Sequence, residues 1–229
     1  MKYDAVIFDL FGTLVDYLPA SEWQRTHEEI AEILSVEYEP YKRAWREIMP
    51  SRDLGKHGGI EGDVKRACAL LDIEPSREQI DKIIDARLDY TRREVQPRSG
   101  AIETIKSLRD SGHKVGLITV CGGEVPLIWE ETPFAPLMDD CVFSCREGIT
   151  KPDPRIYHLS CERLDVKPEN CLYVGDGSCR ELTGALEVGM HPVLIQMEYD
   201  RDYGVNRIDA TEWRGPVIDS LDKILEFVV

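Results

Sequence analysis

Beyond Gly100 the sequence alternates between short apolar runs and segments with helical periodicity, and few folds accommodate that alternation. The apolar runs predict four strands, at residues 114–119, 140–144, 170–174 and 192–196. The periodic segments predict helices at residues 101–110, 124–129, 154–164 and 180–188, with a closing helix from Ser220. Strands that alternate with helices along a chain pair in parallel and are covered by helices. The predicted fold class is therefore α/β, with a Rossmann-like parallel sheet as its core.

The first part of the chain adds one strand and a long helical insert. The apolar run at residues 3–8 predicts a strand, and from Ser21 to about Arg93 apolar residues recur at helical spacing. A stretch rich in helix breakers, residues 96–100, ends this segment. Because the insert separates the first strand from the others, we expect its helices to lie as a cap over the strand ends. The predicted division is a core of residues 1–15 and 97–229 and an inserted α-helical bundle cap domain of residues 16–96.

Composition narrows the range of partners. The chain has 229 residues, of which 42% are hydrophobic and 31% charged, a balance typical of a globular protein. Its formal net charge of −15 disfavours nucleic acid and anionic membranes as partners. The apolar runs are shorter than the roughly 20 residues that span a bilayer. The first strand also follows Met1 too closely to leave room for a signal peptide. We predict a cytoplasmic protein that is a monomer or a homodimer.

The seven cysteines form no recognisable metal or disulfide pattern. They are odd in number, scattered and set mostly among apolar residues, without a C-x-x-C pair. Cys141 and Cys145 are four residues apart, but the residues between them favour a strand and no histidine accompanies them. We therefore expect core residues rather than zinc ligands or disulfides.

Polar residues follow the predicted strands at the points where the strands end. Asp9 follows the first strand, Thr119 ends the second, Lys151 comes after the third and Asp176 follows the fourth. The carboxyl ends of parallel strands meet at one edge of the sheet, where open α/β sheets bind ligands, so these four side chains should converge. Each residue alone is weak evidence, because a structural role explains Thr119 equally well and Asp9 and Lys151 better. The ordered set is much more specific.

These segments resemble the motifs of the haloacid dehalogenase superfamily. The matching stretches are Phe8-Asp9-Leu10-Phe11-Gly12-Thr13-Leu14, Leu117-Ile118-Thr119, Lys151-Pro152-Asp153-Pro154, and Gly175-Asp176-Gly177 through Gly184-Ala185. The resemblance spans the whole chain, and the position of the insert is similar to that of the subclass with a four-helix cap after the first motif. It implies a hydrolase with a Rossmann-like core and a mobile lid.

The resemblance also implies roles for individual residues. In such families the first acid, here Asp9, attacks phosphorus or carbon to form a covalent aspartyl intermediate, which water then resolves. Thr119 and the backbone N–H groups of the Phe11-Gly12-Thr13 turn would bind the oxygens of a small anionic substrate. Lys151 would neutralise the charge that develops on them and on Asp9.

For the phosphatase members, the resemblance implies Mg²⁺ as the cofactor. Its ligands here would be the carboxylates of Asp9 and Asp176 and the backbone carbonyl of Phe11. A hard dication prefers such oxygen ligands and usually keeps several waters. Glu181 would act from behind these ligands, by orienting water or Lys151.

One position departs from the phosphatase pattern. Phosphatases of this family carry a second Asp two residues after the nucleophile, where it protonates the leaving alcohol, and this chain has Phe11 there. General acid catalysis contributes typically about 10²–10⁴-fold, so a phosphatase with Phe11 should be slow. The 2-haloacid dehalogenases carry an aromatic residue at that position, because a halide leaves without a proton. Lys151, Tyr157 and Arg46, which resembles the cap arginine that accepts the halide, also suit dehalogenation.

The last motif favours phosphoryl chemistry instead. Dehalogenases use no metal and have small polar residues in this motif, whereas the charge of Asp176 beside Asp9 calls for a cation. We therefore predict a Mg²⁺-dependent phosphatase of a small phosphate monoester, with metal-independent 2-haloacid dehalogenation as the first alternative. Two further candidates are a phosphonate hydrolase, with Lys42 or Lys56 forming a Schiff base, and a catalytically weak binding protein.

The segment from Lys42 to His57 is the one basic cluster of this acidic protein. Charge runs usually form a solvated helix face. Our hypothesis is that some of these residues reach the crevice, where Arg46 binds an anionic group of the substrate and His57 replaces the missing general acid.

Overall fold

A single parallel sheet organises the described part of the chain, which is residues 2–197 and 207–228 of a computed structural model. The strands within these ranges are β1 (Ala5–Phe8), β2 (Lys114–Thr119), β3 (Asp140–Phe143), β4 (Cys171–Gly175), β5 (His191–Ile195) and β6 (Val217–Ile218). They are ordered β3-β2-β1-β4-β5-β6, and every neighbouring pair is parallel. The predicted α/β fold class with a Rossmann-like parallel sheet is confirmed.

The central position of β1 follows from its sequence. Its run of Ala, Val, Ile and Phe is fully buried, as a strand covered on both faces requires. Phe8 at its end pairs with Leu117 of β2 on one side and with Val174 of β4 on the other. The strand order runs outward from β1 in both directions, so the ligand crevice of an open sheet is expected beyond its carboxyl end.

The insert between β1 and residue 96 is helical, as predicted. It contains α1 (Ala20–Leu34), α2 (Tyr38–Arg52), α3 (Ile60–Ala69) and α4 (Arg77–Glu94). These helices enclose an apolar cluster of their own, which includes Ile30, Trp45, Val64 and Ile83. The two remaining apolar clusters lie against the sheet. The exact division into a cap of residues 16–96 and a core stays a prediction.

Further α-helices follow the insert within the described ranges. They are α5 (Ala101–Asp110), α6 (Glu124–Ile128), α7 (Ser144–Glu147), α8 (Pro154–Leu164), α9 (Glu181–Glu187), α10 (Ile208–Glu212) and α11 (Leu225–Val228). The strands and helices predicted between residues 101 and 196 agree with the observed elements to within one residue at each end. The short elements α7, α10 and β6 were not predicted. Across the described ranges, no helix combines the length and apolar character needed to cross a membrane.

The two connections between the insert and the core lie side by side. Val15 forms an antiparallel bridge with Pro97. The buried guanidinium of Arg98 donates to the carbonyl of Gly12 at 3.0 Å and pairs with the carboxylate of Asp16 at 2.7 Å. The loop after β1 is therefore fixed by residues from both ends of the insert.

The cysteines vary in their burial. Four are buried, and Cys141 and Cys145 are partly buried against an apolar cluster of the sheet. Cys179 is exposed. The expectation of core residues was therefore wrong for Cys179, which lies in the loop after β4.

Candidate active site

Asp9 lies at the centre of the carboxyl edge of the sheet and is 3% exposed. Its Oδ1 accepts a hydrogen bond from Lys151 Nζ at 2.5 Å, and its Oδ2 accepts one from Thr13 Oγ1 at 3.2 Å. Burial raises the pKa of Asp9, the Lys151 ammonium opposes that change, and the Asp176 carboxylate adds to it. Lys151 is thus the group that favours an ionised Asp9.

The ammonium group of Lys151 lies between two buried carboxylates. Besides Asp9, Nζ donates to Glu181 Oε2 at 2.5 Å and to the Tyr173 hydroxyl at 3.2 Å. Burial lowers the pKa of Lys151, but Asp9 and Glu181 outweigh burial and raise it. Lys151 therefore stays charged and is held in one position.

Glu181 is fully buried and supports Lys151 from behind. Its Oε1 accepts from the Gly177 N–H at 3.0 Å, and its Oε2 accepts from the Tyr173 hydroxyl at 2.8 Å. A Cβ at Gly175 would lie 2.3 Å from Glu181 Oε1, so only glycine fits there. The Tyr157 hydroxyl donates to the Glu181 carbonyl at 3.0 Å, so Tyr157 supports the start of α9.

Asp176 is fully buried and has partners that the sequence motifs did not predict. Its Oδ1 accepts from the Ser178 N–H at 2.9 Å, and its Oδ2 accepts from the Tyr17 hydroxyl at 3.0 Å. Arg207 Nε lies 2.8 Å from the same Oδ2, and the Arg207 guanidinium lies 5.3 Å from the centre of the Tyr17 ring. No motif marks Tyr17 or Arg207, because both residues lie outside the segments that carry the family resemblance.

Gly12 allows the first loop to approach Asp176 closely. Its φ is +75°, a conformation that favours glycine. A Cβ at this position would lie 2.5 Å from Asp176 Oδ2 and 2.5 Å from a ring carbon of Tyr17. The loop after β1 and the end of β4 therefore meet only because residue 12 has no side chain.

The three carboxylates of this site form a cluster suited to a cation. Oxygen atoms of Asp9, Asp176 and Glu181 lie within 4.8 Å of one another. Lys151 and Arg207 bring positive charges to this cluster, while burial and the charge of Asp9 raise the pKa of Glu181 well above its ordinary value. The oxygen-only donor set fits a hard dication.

Thr119 offers a hydroxyl without a partner. It ends β2 and is fully buried, and within the described ranges its Oγ1 has no hydrogen-bond partner. Buried polar groups in proteins are nearly always hydrogen-bonded. The Thr119 hydroxyl is therefore a donor that no described group of the protein uses.

A cavity of about 330 Å³ lies between this edge of the sheet and the helices of the insert. Asp9, Phe11, Tyr17 and Lys151 line it from the core. From the insert it is lined by aromatic and charged residues, among them Trp23, Trp45, Arg52, Asp53, Arg87, Tyr90 and Glu94.

The structure does not bring Arg46 or His57 into this cavity. Arg46 is exposed, with its guanidinium 5.5 Å from the centre of the Trp23 ring, and His57 Nδ1 pairs with Asp63 Oδ1 at 2.8 Å. Neither residue lines the cavity. The prediction that Arg46 and His57 reach the crevice is therefore wrong, because other contacts hold both side chains. Arg52, from the same basic segment, reaches the cavity instead.

Arg52 and Arg87 of the insert share one carboxylate of the core. Arg52 Nη2 donates to Glu124 Oε2 at 2.7 Å, and Arg87 Nε donates to Glu124 Oε1 at 3.0 Å. Burial alone would raise the pKa of Glu124, but the two guanidinium groups outweigh it and lower the pKa to about 2. A Cβ at Gly122 would lie 2.1 Å from the Arg52 guanidinium, so a larger residue there would displace Arg52 from its present position.

The fold and the residues at its carboxyl edge define a hydrolase with a Rossmann-like parallel sheet and a helical insert after the first strand. The family model for haloacid dehalogenase-like hydrolases matches residues 3–189, which is most of the chain. The chain therefore belongs to the haloacid dehalogenase-like hydrolase family, and the family resemblance of its motifs is confirmed.

Its relatives carry two different activities. A glyceraldehyde 3-phosphate phosphatase of Methanopyrus kandleri is 33% identical over 105 residues, 44% of this chain and 44% of that protein. An (S)-2-haloacid dehalogenase of Burkholderia cepacia is 24% identical over 200 residues, 85% of this chain and 83% of that protein. A 2-haloacid dehalogenase structure from Pseudomonas syringae shares the fold, with a TM-score of 0.71 at 21% identity over 99% of this chain and 98% of that one. The match spans about half the length of the first curated relatives.

Proposed function

We propose that this hydrolase is a Mg²⁺-dependent phosphatase of small phosphate monoesters, which works through an aspartyl-phosphate intermediate on Asp9. The observation that carries the proposal is the cluster around Asp9, where Lys151 lies 2.5 Å away and the carboxylate oxygens of Asp176 and Glu181 lie within 4.8 Å. The unpaired Thr119 hydroxyl supports it, because a phosphoryl group presents oxygens to such a donor. Phosphatases among the relatives support it further.

In this reaction Asp9 attacks the phosphorus atom through a carboxylate oxygen, and the bond from phosphorus to the leaving oxygen breaks. Lys151 balances the charge on Asp9 and on the phosphoryl oxygens, and Thr119 donates a hydrogen bond to one of them. Water then attacks the phosphorus of the aspartyl phosphate, which releases inorganic phosphate and regenerates Asp9. Because Phe11 carries no acidic group, the leaving oxygen takes its proton from solvent, and the reaction is slower by about 10²–10⁴-fold than with a positioned acid.

The carboxylates of Asp9 and Asp176 and the backbone carbonyl of Phe11 would hold Mg²⁺, which when bound supplies positive charge to the phosphoryl oxygens. The oxygen-only donors support this assignment. Glu181 has a positioning role, because it fixes Lys151 through a 2.5 Å contact.

The decisive experiment measures phosphate release from a panel of phosphate monoesters, with and without Mg²⁺, by the wild type and Asp9→Asn. We expect Mg²⁺-dependent release that Asp9→Asn abolishes. The exposed Asp110→Asn variant, at the end of α5, is the matched control and should behave as wild type. Absence of release above background from every monoester would contradict the proposal.

Metal-independent hydrolysis of 2-haloacids is the second candidate function. Arg207 lies 2.8 Å from Asp176, so a cation of the chain itself balances the carboxylate that otherwise argues for a metal. Phe11 and the match to a haloacid dehalogenase over 85% of the chain also favour it. Asp9 would then displace halide from carbon, and water would hydrolyse the resulting ester. Halide release from (S)-2-chloropropanoate in the presence of EDTA tests this function. Equal rates of halide release by the wild type and by Asp9→Asn would exclude dehalogenation.

A further inference from the structure

The carboxylate of Glu94 belongs to the cavity wall and forms no ion pair within the described ranges. Glu94 is the last residue of α4, is partly exposed and lines the cavity together with Asp9. Its Oε1 accepts from the Tyr90 hydroxyl at 3.2 Å, whereas its Oε2 has no hydrogen-bond partner among the described residues. Oε2 is also not among the enclosed polar atoms of these residues, so a molecule bound in the cavity can reach it.

A carboxylate in this position costs stability. The C-terminal end of a helix carries partial negative charge, which favours cations there and disfavours anions. Burial raises the pKa of Glu94, and the Arg87 guanidinium offsets only part of this rise. A titratable group whose pKa is shifted in this way inside a cleft is a candidate for ligand binding.

The arginines of the same wall are already paired with other carboxylates. Arg52 contacts Glu124 at 2.7 Å and Asp53 at 3.0 Å. Arg87 contacts the same Glu124 carboxylate at 3.0 Å. These two positive charges meet two negative ones, so Glu94 adds a negative charge that the arginines do not balance. A bound ammonium group would balance it and would lower the pKa of Glu94 again.

Phe11 and Trp23 give the cavity an aromatic lining that is compatible with a cation. Both residues are partly exposed, and both line the cavity. The face of an aromatic ring attracts an ammonium group, and the ring offers apolar surface to the alkyl chain that carries it. The lining therefore favours an alkylammonium group over a strongly hydrated anion.

An ammonium group in the substrate also assists the reaction that Phe11 makes difficult. In the proposed reaction no acid is positioned at the leaving oxygen, so negative charge develops there. A positive charge a few bonds away in the leaving group attracts this negative charge and lowers the barrier to departure. A cationic leaving group thus matches both Phe11 and Glu94.

We propose that Glu94 selects phosphate monoesters of small amino alcohols, in which the leaving group carries an ammonium group. This inference rests on the proposed phosphatase function and names its substrate class. The phosphate group lies at Asp9 and Lys151, and the ammonium group pairs with Glu94 Oε2. The cavity of about 330 Å³ limits the substrate to a small compound.

The test uses the series from 2-aminoethyl to 5-aminopentyl phosphate, each member paired with the alkyl phosphate in which a methyl group replaces the ammonium. Because an ammonium group improves the leaving group on any enzyme, the readout is how Glu94→Gln changes the ratio of kcat/KM within each pair. We expect the wild type to favour the amino compound, most strongly at one chain length, and Glu94→Gln to lower that ratio by about 10-fold. The exposed Asp85→Asn variant, on the same helix, is the matched control and should keep the wild-type ratio.

Glu94→Asp provides a second variant in case Glu94→Gln does not fold. It keeps the charge but withdraws it by one methylene, so the preference should shift to the next longer amino alcohol. A purely structural role of Glu94 would instead lower the activity toward both members of each pair equally. In Glu94→Gln the loss should appear mainly in KM, because the ammonium group contacts Glu94 already in the bound substrate.

The outcomes separate this inference from the proposed function. Phosphate release without preference for the amino compounds, or with a preference that neither variant of Glu94 alters, overturns the inference and leaves the phosphatase intact. If no monoester is hydrolysed, calorimetry with Asp9→Asn compares the binding of the two members of each pair. Tighter binding of the amino compound that is lost when Glu94→Gln is added then supports the subsite although the phosphatase proposal has failed, and equal or undetectable binding rejects both.

Discussion

Arg207 Nε lies 2.8 Å from Asp176 Oδ2, inside the cluster of carboxylates at the candidate metal site. The start of α10 is anchored beside it, because the Asp209 carboxylate accepts from the N–H and the hydroxyl of Thr183 at 2.9 and 2.7 Å. The Asp209 N–H in turn donates to the Gly177 carbonyl at 3.2 Å. A residue 31 positions further along the chain than Asp176 thus provides a cation where the proposed function requires Mg²⁺.

Arg207 and Mg²⁺ should therefore compete for Asp176, since two cations at one carboxylate oxygen repel each other. We expect Arg207→Gln to bind Mg²⁺ about 10-fold more tightly than the wild type, the effect of removing about 1.4 kcal/mol of repulsion. Isothermal titration of the folded protein measures this affinity without turnover. Arg214→Gln, an exposed arginine just after α10, is the matched control. Unchanged or weaker Mg²⁺ affinity in Arg207→Gln would show that the arginine is not a competitor.

Phe11→Asp should separate the two candidate reactions. For a phosphatase, the new carboxyl group provides the missing general acid, and kcat/KM for alkyl phosphates should rise by about 10²-fold. The gain should be largest at low pH, where this group is protonated, and should decline as the pH rises through its pKa. For a dehalogenase, a second carboxylate near Asp9 repels the haloacid, and halide release should fall. Phe11→Asn has a similar size without an acid, and a gain in phosphate release by that variant would contradict the explanation.

Much of this site could be predicted because it depends on local rules. Asp9 and Asp176 lie at the ends of β1 and β4, Thr119 ends β2, and Lys151 lies in the loop region beyond β3. These strands are recognisable as short apolar runs, and parallel strands bring their ends together. The strand limits are clear because these buried strands are bounded by polar and glycine-rich turns. The convergence of residues more than 100 positions apart thus follows from topology alone.

The partners of these residues could not be predicted in the same way. Arg207 lies at the start of the short helix α10, Tyr17 lies in the loop before α1, and both contact Asp176. Neither segment has a repeating pattern of apolar residues from which the positions of its side chains could be predicted. Arg46 and Arg52 lie on the same helix, α2, and both are positively charged, but of the two only Arg52 lines the cavity. The choice between them depends on how the insert packs against Glu124, a contact between distant parts of the chain.

Gly12→Ala should disrupt the contact between the first loop and Asp176. The new Cβ would lie 2.5 Å from Asp176 Oδ2, and the alanine would also have to adopt a φ of +75°. The backbone strain alone costs about 1–2 kcal/mol, so the free energy of unfolding should fall by more than that. Gly100→Ala is the matched control, because Gly100 has a φ of +80° and a Cβ there would meet no atom within 4 Å. Urea unfolding of both variants measures the difference, and equal losses would show that the loop accommodates the methyl group.

Glu124→Gln should destabilise the protein in a way that depends on pH. In the folded protein the pKa of Glu124 is about 2, against an ordinary value of 4.5. Because the pKa of Glu124 is lower in the folded than in the unfolded protein, its ionisation stabilises the folded state at pH values above 4.5. This stabilisation is lost as the pH falls from 4.5 toward 2. The variant should therefore lose roughly 3 kcal/mol at neutral pH, because it leaves two buried arginines without their shared carboxylate. Its deficit relative to wild type, measured by urea unfolding with tryptophan fluorescence, should shrink across that acidic range. Glu130→Gln should show no deficit at any pH, and a deficit in Glu124→Gln that is constant with pH would mean that the lost charge is not its cause.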